Sequence, residues 1–70
     1  MDKRFVKLVG KNIKKYREEK GLTQLALGIE ANVSPSTIAM IETYRNDMTL
    51  SKLNAIAKAL EIETYLLLRE

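Results

Sequence analysis

The chain of 70 residues contains twelve lysines and arginines, nine aspartates and glutamates, and neither cysteine nor histidine. A chain of this length folds as one small domain, which buries about 60% of the surface that its unfolded form exposes. The missing cysteine and histidine exclude a disulfide framework, a thiolate metal site and the commonest general base. We therefore expect a single domain over 1–70 that is a binding module rather than an enzyme, with no cofactor and no metal.

The apolar residues of the chain occur in short runs. None of these runs approaches the roughly 20 residues that span a bilayer. The N-terminus is charged but lacks the apolar stretch of a secretory signal. The sequence therefore predicts a cytoplasmic protein with no membrane partner.

The basic residues are concentrated in the first twenty positions. Residues 1–20 carry eight cations and three carboxylates, a net charge of +5, whereas residues 21–70 carry four cations and six carboxylates, a net charge of −2. A basic half suits a polyanionic partner, although the same run could be a solvated helix face. The cations of this half that could face a nucleic acid are Lys11, Lys14, Lys15 and Lys20.

Apolar residues at helical spacing predict two helices in the first half of the chain. The first extends over 5–20, and Gly21 ends it, because glycine readily takes the left-handed conformation found just after helices. Thr23 is the natural N-cap of the second helix, whose range is about 24–31.

Three further helices are predicted to follow. Ser34 caps a third helix over about 35–43, in which Pro35 occupies the first position, where its missing N–H costs nothing. Thr49 caps a fourth helix with a broad apolar stripe, and Thr64 caps a short fifth helix. The stripe consists of Leu50, Leu53, Ile56, Ala57 and Leu60. Five short helices without a strand pattern predict a compact all-α fold.

Many positions share the spacing of a known DNA-binding family. They are Gly21, Leu22, Thr23, Gln24, Leu27, Val33, Ser34, Ser36, Thr37, Ile38, Ile41, Glu42, Leu53, Ala57, Lys58, Ala59 and Leu60. Over roughly residues 8–68 the chain resembles the phage repressor/Cro-type helix-turn-helix family, and it also resembles the small controller proteins of restriction–modification systems. The resemblance implies a five-helix repressor-like domain that binds double-stranded DNA, with 24–31 and 35–43 as the helix-turn-helix. It also implies a bacterial or phage protein that acts at the nucleoid.

The resemblance implies that the outward face of the third helix reads DNA bases. The residues at base-reading positions are Pro35, Ser36, Thr37 and Met40. Phage repressors often have glutamine at three of these positions, whereas here only two hydroxyls can hydrogen-bond, and Thr37 could reach a base or a phosphate. Proline and methionine offer apolar contact to a thymine methyl. The alternative for Met40 is a flexible surface residue. Base discrimination by this face should therefore be soft.

The resemblance places phosphate contacts at the start of the second helix and after the third. Gln24 matches a family glutamine that touches a phosphate and braces the third helix, although it would also serve simply as a favourable first-turn residue. Arg17 matches an arginine that joins the first helix to the third through Glu42, where a bidentate pair can leave one guanidinium edge near a phosphate. The phosphate-contacting residues after the third helix would be Thr43, Tyr44, Arg45 and Asn46.

Three further residues depart from the family pattern, and one of them is Met48, which stands where proline is common. Tyr44 stands where the family usually has a left-handed glycine, and a tyrosine would be strained there. We therefore expect the third helix to end differently, with Asn46 taking the positive φ. Gly28 replaces the usual alanine and should weaken the second helix by roughly 0.5–1 kcal/mol.

The C-terminal segment 62–69 contains more apolar residues than one short helix can bury. We expect a monomer to bury Tyr65 together with Leu66 or Leu67, and to leave Leu68 exposed. Family members pair through this helix, so the resemblance implies a homodimer; the alternative is an apolar C-terminus without a partner. The residues expected at the dimer interface are Ile62, Tyr65, Leu66 and Leu68.

These patterns predict a sequence-specific DNA-binding transcriptional regulator that binds a palindromic operator as a homodimer. Two-fold symmetry would place the recognition helices on half-sites about 34 Å apart, one turn of B-DNA. The alternative is an antitoxin-type protein-binding module with autoregulatory DNA binding. No small-molecule ligand is evident from the sequence.

Overall fold

The computed structural model describes residues 2–70 and consists of helices joined by short turns. The elements are α1 (Lys3–Glu19), α2 (Gln24–Ala31), α3 (Pro35–Glu42), α4 (Leu50–Ala59) and a C-terminal 3₁₀ helix (Thr64–Leu67). No strand occurs in the described residues, so the predicted all-α class is confirmed, whereas the predicted count of five α-helices was wrong. The last element has only four residues, a length typical of 3₁₀ helices. Within residues 2–70, no helix is long and apolar enough to cross a membrane.

A side-chain N-cap opens each of the four α-helices. The capping residues are Asp2, Thr23, Ser34 and Thr49, and each accepts a hydrogen bond from a backbone N–H two or three residues later. The three caps predicted for these α-helices are confirmed, and the unpredicted cap at Asp2 starts α1 earlier than expected, at Lys3. The expected cap at Thr64 was wrong. Glu63 precedes the 3₁₀ helix without a side-chain cap bond, and the Thr64 hydroxyl instead donates to Asn54 Oδ1 at 3.1 Å.

Each α-helix is followed, one or two positions after its last residue, by a residue in the left-handed backbone conformation. These residues are Gly21 (φ 74°), Asn32 (φ 57°), Tyr44 (φ 64°) and Glu61 (φ 59°). Gly21 has the role that was predicted for it. Of the other three residues, only asparagine tolerates the left-handed conformation well. At Tyr44 and Glu61 this conformation is therefore imposed by the surrounding structure.

One apolar core holds the helices together. Its buried side chains are Val9, Ile13, Leu27, Ala31, Ile38, Ile41, Leu53, Ile56, Ala57, Leu60 and Leu67. α2 packs against α3 and α4, while α1 packs against α3 and the 3₁₀ helix. Leu50 was predicted to belong to this core but is 82% exposed, because it is the first residue of α4 and lies at the open end of the apolar stripe. Met48, two residues earlier, packs against the core instead.

Two glycines allow backbone segments to approach each other closely. A Cβ on Gly28 would lie 2.4 Å from the carbonyl oxygen of Val33, and a Cβ on Gly10 would lie 2.4 Å from the carbonyl oxygen of Ile41. Both distances are too short for any side chain, so glycine is required where α2 meets its turn and where α1 meets α3. The expectation that alanine would be the better residue at position 28 was therefore wrong, since this contact outweighs helix propensity.

We predict that Gly10→Ala and Gly28→Ala each lower the free energy of unfolding by about 1–3 kcal/mol, because the added methyl group forces the backbone to move. Urea unfolding followed by circular dichroism measures the change. Glu30→Ala, at an exposed position of α2, is the control and should change the free energy of unfolding by less than about 0.5 kcal/mol. A Gly28→Ala variant as stable as the unchanged protein would contradict the close approach.

Candidate nucleic-acid interface

A tight turn joins α2 to α3. Asn32 takes φ 57°, and the N–H of Val33 donates to the carbonyl oxygen of Gly28 at 2.8 Å, which closes α2 and redirects the chain. The buried side chains of Ile38 and Ile41 hold one side of α3 on the core. The opposite side of α3 therefore faces outward and is accessible to a partner.

A buried, bidentate ion pair fixes α3 to α1. Arg17 Nε lies 2.7 Å from Glu42 Oε2, and Arg17 Nη2 lies 3.0 Å from Glu42 Oε1. Arg17 Nη1 also donates to the carbonyl oxygen of Leu22 at 2.7 Å, and Gln24 Nε2 donates to Glu42 Oε1 at 3.2 Å. The side chain of Glu42 is 3% exposed and that of Arg17 is 11% exposed. Side chains from α1, α2 and α3 therefore meet at one carboxylate.

The charge of Glu42 is balanced within the protein. The hydrogen bond to Glu42 raises the pKa of Arg17; burial opposes this rise, and the negative charges of Glu42 and Glu18 add to it. The pairing with Glu42 therefore favours the protonated guanidinium, which is the form that donates to the carboxylate. This geometry confirms that Arg17 joins α1 to α3 and that Gln24 braces α3. The phosphate contacts of these two side chains stay predictions, and all three guanidinium nitrogens of Arg17 already donate within the protein.

We predict that Glu42→Gln lowers the free energy of unfolding by about 3 kcal/mol, because the substitution leaves the charge of Arg17 buried without its partner. Glu30→Gln, the same change at an exposed position of α2, is the matched control and should have an effect below about 0.5 kcal/mol. Urea unfolding at neutral pH compares the two variants. If they prove equally stable, the ion pair does not hold the three helices together.

The outward face of α3 carries the four residues predicted to read bases. Pro35 and Ser36 are exposed, and Met40 is 42% exposed. The Ser36 hydroxyl has no hydrogen-bond partner within residues 2–70, so both its proton and its lone pairs can serve a base edge. Thr37 is half-buried, and its Oγ1 lies 2.8 Å from the Oγ of the capping Ser34. The hydroxyl of Thr37 is therefore already engaged in the start of the helix.

The chain after α3 does not take the predicted conformation. Tyr44 itself adopts φ 64°, so the expectation that Asn46 would take the positive φ was wrong. The Tyr44 N–H donates to the carbonyl oxygen of Ile41 at 3.1 Å, and the Arg45 N–H donates to that of Met40 at 2.8 Å. These two bonds close α3 in the manner usual for a left-handed helix end.

Contacts of the Tyr44 ring explain its strained backbone. A Cβ on Gly10 would lie 2.9 Å from the ring Cδ1, so the ring lies directly against the bare face of α1. Lys7 Nζ lies 5.9 Å from the ring centroid, within the range of a cation–π contact. A left-handed non-glycine residue costs about 1–2 kcal/mol, which contacts of this kind offset. A tyrosine is tolerated at position 44 because its ring packs against α1.

The other residues after α3 differ in what they can offer a phosphate. Arg45 is exposed and Asn46 is half-buried, and both carry N–H donors. The Thr43 hydroxyl donates to the carbonyl oxygen of Ala39 at 2.8 Å, so its proton is used within α3. Of the three, only Arg45 carries a positive charge, and it is exposed.

Two of the α1 cations considered for DNA contact interact within the protein. Lys20 Nζ forms a hydrogen-bonded ion pair with Glu61, and this hydrogen bond, together with the lysine charge, lowers the pKa of the exposed Glu61 carboxyl. Lys15 Nζ lies 5.4 Å from the centroid of the Tyr16 ring. Lys11 and Lys14 are exposed as well, but the structure gives neither of them a contact near α3.

The C-terminal segment is packed differently from the prediction. Leu67 is fully buried, whereas Tyr65 is 61% exposed, so the expected burial of Tyr65 was wrong. Leu68, expected to be exposed, is half-buried against the core, as is Ile62, and Leu66 is half-buried too. The cause lies in α1, since the Asn12 side-chain amide donates to the carbonyl oxygens of Leu67 (2.9 Å) and Arg69 (2.8 Å). These bonds hold the end of the chain against α1.

Three residues of α1 that shape this region were not predicted. An isolated glycine inside a helical pattern signals a close approach, and this signal could have identified Gly10. An asparagine in the middle of a helix, where its helix propensity is poor, could have indicated Asn12. Lys7 gave no such signal, because the sequence does not distinguish one lysine of a basic helix from the next.

The fold and the braced, outward-facing α3 define a small helix-turn-helix DNA-binding domain. The helix-turn-helix family model matches residues 13–67, and the chain belongs to this family. Members of this class are DNA-binding regulators rather than enzymes. The first part of α1, up to Asn12, lies outside the matched region.

The proteins to which this chain is similar include a phage repressor and two controller proteins. An immunity repressor protein from Bacillus phage phi105 is 47% identical over 55 residues, which are 79% of this chain and 38% of that protein. The restriction-modification controller protein C.AhdI from Aeromonas hydrophila has a TM-score of 0.86 at 26% identity, over 89% of this chain and 94% of that one. Another restriction-modification controller protein, in its wild-type form, has a TM-score of 0.84 at 33% identity, over 90% and 82% of the two chains. The chain thus spans well under half of the phage repressor but most of each controller protein.

Proposed function

We propose that this protein is a sequence-specific transcriptional regulator that binds a palindromic operator as a homodimer. The observation that carries the proposal is the outward face of α3, which is held rigidly by Arg17, Gln24 and Glu42 while Ser36 and Met40 remain exposed. A helix presented in this way fits the major groove of B-DNA. Membership of the helix-turn-helix family supports DNA as the partner.

The chemistry of α3 suggests how bases are read. The Ser36 hydroxyl can donate to or accept from a base edge, and Met40 and Pro35 can contact a thymine methyl. The Thr37 hydroxyl is shared with Ser34, so it contributes less. Because this face offers few hydrogen bonds, the placement of phosphate contacts and the shape of the DNA supply much of the specificity.

Phosphate contacts on either side of α3 would fix its depth and angle in the groove. Gln24 stands at the start of α2, and the exposed Arg45 and the half-buried Asn46, which both carry N–H donors, follow α3. Tyr44 adds a phenolic hydroxyl, and Arg17 adds the small exposed part of its side chain. The net charge of +5 over residues 1–20 favours approach to the polyanion.

A second copy of the chain is the proposed partner of the C-terminal surface. Tyr65 is 61% exposed and Leu50 is 82% exposed. The hydrogen bond from Thr64 to Asn54 joins the 3₁₀ helix to α4, the helix that begins with the exposed Leu50. The half-buried side chains that complete the proposed interface are Ile62, Leu66 and Leu68.

We predict that Arg45→Ala and Ser36→Ala affect DNA binding in different ways. Arg45→Ala should weaken binding to all sequences alike and reduce the slope of log K against log salt by about 1, because it removes a phosphate contact. Ser36→Ala should change the preference at one base pair, by up to about 1 kcal/mol. Fluorescence anisotropy on a selected and a random duplex across a salt series measures both effects.

Ser51→Ala, at an exposed position of α4, is the control for the serine substitution and should bind as the unchanged protein does. If neither Arg45→Ala nor Ser36→Ala alters binding, α3 is not the recognition helix. If the unchanged protein shows no preference for the selected duplex and co-purifies with an unrelated small protein, the antitoxin-type function is favoured instead.

We predict that Tyr65→Glu weakens self-association at least tenfold, because it places a charge in the proposed interface without disturbing the buried core. Leu25→Glu, on an exposed part of α2, is the matched control and should leave self-association unchanged. Sedimentation velocity from submicromolar to high micromolar concentration measures both variants. Identical sedimentation of Tyr65→Glu and the unchanged protein would place the dimer contact elsewhere.

A further inference from the structure

A cationic cleft lies between the start of α1 and the chain that follows α3. Its volume is about 530 Å³, and its lining residues are Lys3, Val6, Lys7, Tyr44, Arg45, Asn46 and Asp47. The α1 side of this cleft precedes residue 13, where the match to the helix-turn-helix family begins. The cleft is therefore assembled from one segment outside that match and one segment inside it.

The fold holds the two walls of the cleft together. Gly10 lets α1 approach α3, since any Cβ at this position would meet the carbonyl oxygen of Ile41 at 2.4 Å. Tyr44 turns its ring onto this bare patch by taking φ 64°, and Lys7 Nζ lies 5.9 Å from the ring centroid. Lys7 is therefore positioned against an aromatic ring from beyond its own helix, whereas the aromatic contact of Lys15 is with Tyr16 of α1 itself.

The charges in the cleft favour an anion with several oxygen acceptors. Lys3, Lys7 and Arg45 supply three positive charges, against the one carboxylate of Asp47, which already has an interaction of its own. The Asn46 amide adds N–H donors. Lysine and arginine side chains around a space of this kind are the groups that bind phosphate.

The position of the cleft identifies the source of the phosphate. The Arg45 N–H donates to the carbonyl oxygen of Met40, so the cleft begins within one turn of a residue on the base-reading face. A helix in the major groove is bordered by the two phosphate backbones, and residues just beyond its end face one of them. A DNA backbone phosphate is therefore the occupant that fits both the charge and the location.

We propose that this cleft is a binding subsite for a backbone phosphate beside the bases contacted by α3, with Lys7 and Lys3 as phosphate ligands in addition to Arg45. Tyr44 positions Lys7 in this site. The proposal rests on the proposed function, because it takes α3 as the recognition helix. It extends the phosphate-contacting surface onto the first two turns of α1, which the predicted set of DNA-facing cations did not include.

The test compares Lys7→Gln with Lys58→Gln in the full chain. Both variants lose one positive charge, but Lys58 is an exposed residue of α4 that does not line the cleft. Lys7→Gln should weaken binding to selected and random duplexes by the same factor, about three- to tenfold near 150 mM salt, and lower the salt slope by about 1. Lys58→Gln should bind as the unchanged protein does, and Lys7→Arg should retain the slope.

Selected duplexes with a single neutral methylphosphonate at successive backbone positions locate the contact. For the unchanged protein, one position beside the bases contacted by α3 should reduce affinity, and Lys7→Gln should be insensitive to neutralisation at that position. Circular dichroism confirms that each variant is folded.

Three results would overturn the cleft proposal. They are an unchanged salt slope for Lys7→Gln, an equal loss of affinity for Lys58→Gln, and continued sensitivity of Lys7→Gln to the same methylphosphonate. If any of these results is found while the unchanged protein still prefers the selected duplex, only the cleft proposal is contradicted. If the unchanged protein does not distinguish the two duplexes, the proposed function is contradicted as well.

Discussion

The buried ion pair between Arg17 and Glu42 is the interaction on which the outward face of α3 depends. The carboxylate belongs to the last residue of α3 and receives donors from both α1 and α2. A helix of eight residues is only marginally stable by itself and cannot fix its own direction. Because the pair is bidentate and shielded from water, it sets the orientation of α3 relative to two other helices rather than merely adding to stability.

Features that depend on neighbouring residues could be predicted from the sequence. The caps at Thr23, Ser34 and Thr49 and the left-handed Gly21 involve chemistry within four positions, and the structure contains each of them. The spacing of the buried residues in α3 was also sufficient to separate its inner face from its outer face. The helix-turn-helix could therefore be predicted from the sequence, including the bounds of α2.

The errors occur where the state of a residue is set by a distant part of the chain. Tyr44 accepts a strained backbone because its ring lies on Gly10, 34 positions earlier in the sequence. Leu68 packs inward because the Asn12 amide, 55 positions from Leu67, holds the chain end. Local propensity contains no information about such pairs. The outward face of α3, by contrast, was correctly predicted to be exposed at Pro35, Ser36 and Met40, but the engagement of Thr37 by Ser34 depends on side-chain geometry that spacing does not specify.

The hydrogen bonds of Asn12 have a consequence for the distance between the two DNA half-sites that a dimer would bind. α1 is an uninterrupted helix of 17 residues, about 25 Å long, and it is joined to α3 through Arg17 and to the chain end through Asn12. In a dimer paired through the C-terminal segment, the stretch of α1 from Asn12 to Arg17, about 7.5 Å of helix, would link each α3 to the interface. Because these side-chain bonds would hold α3 and the interface in one arrangement, an extra base pair between half-sites, which shifts them by about 3.4 Å and rotates them by about 34°, would have to be accommodated by bending or twisting the DNA. The distance between half-sites would then be selected as strictly as their sequence.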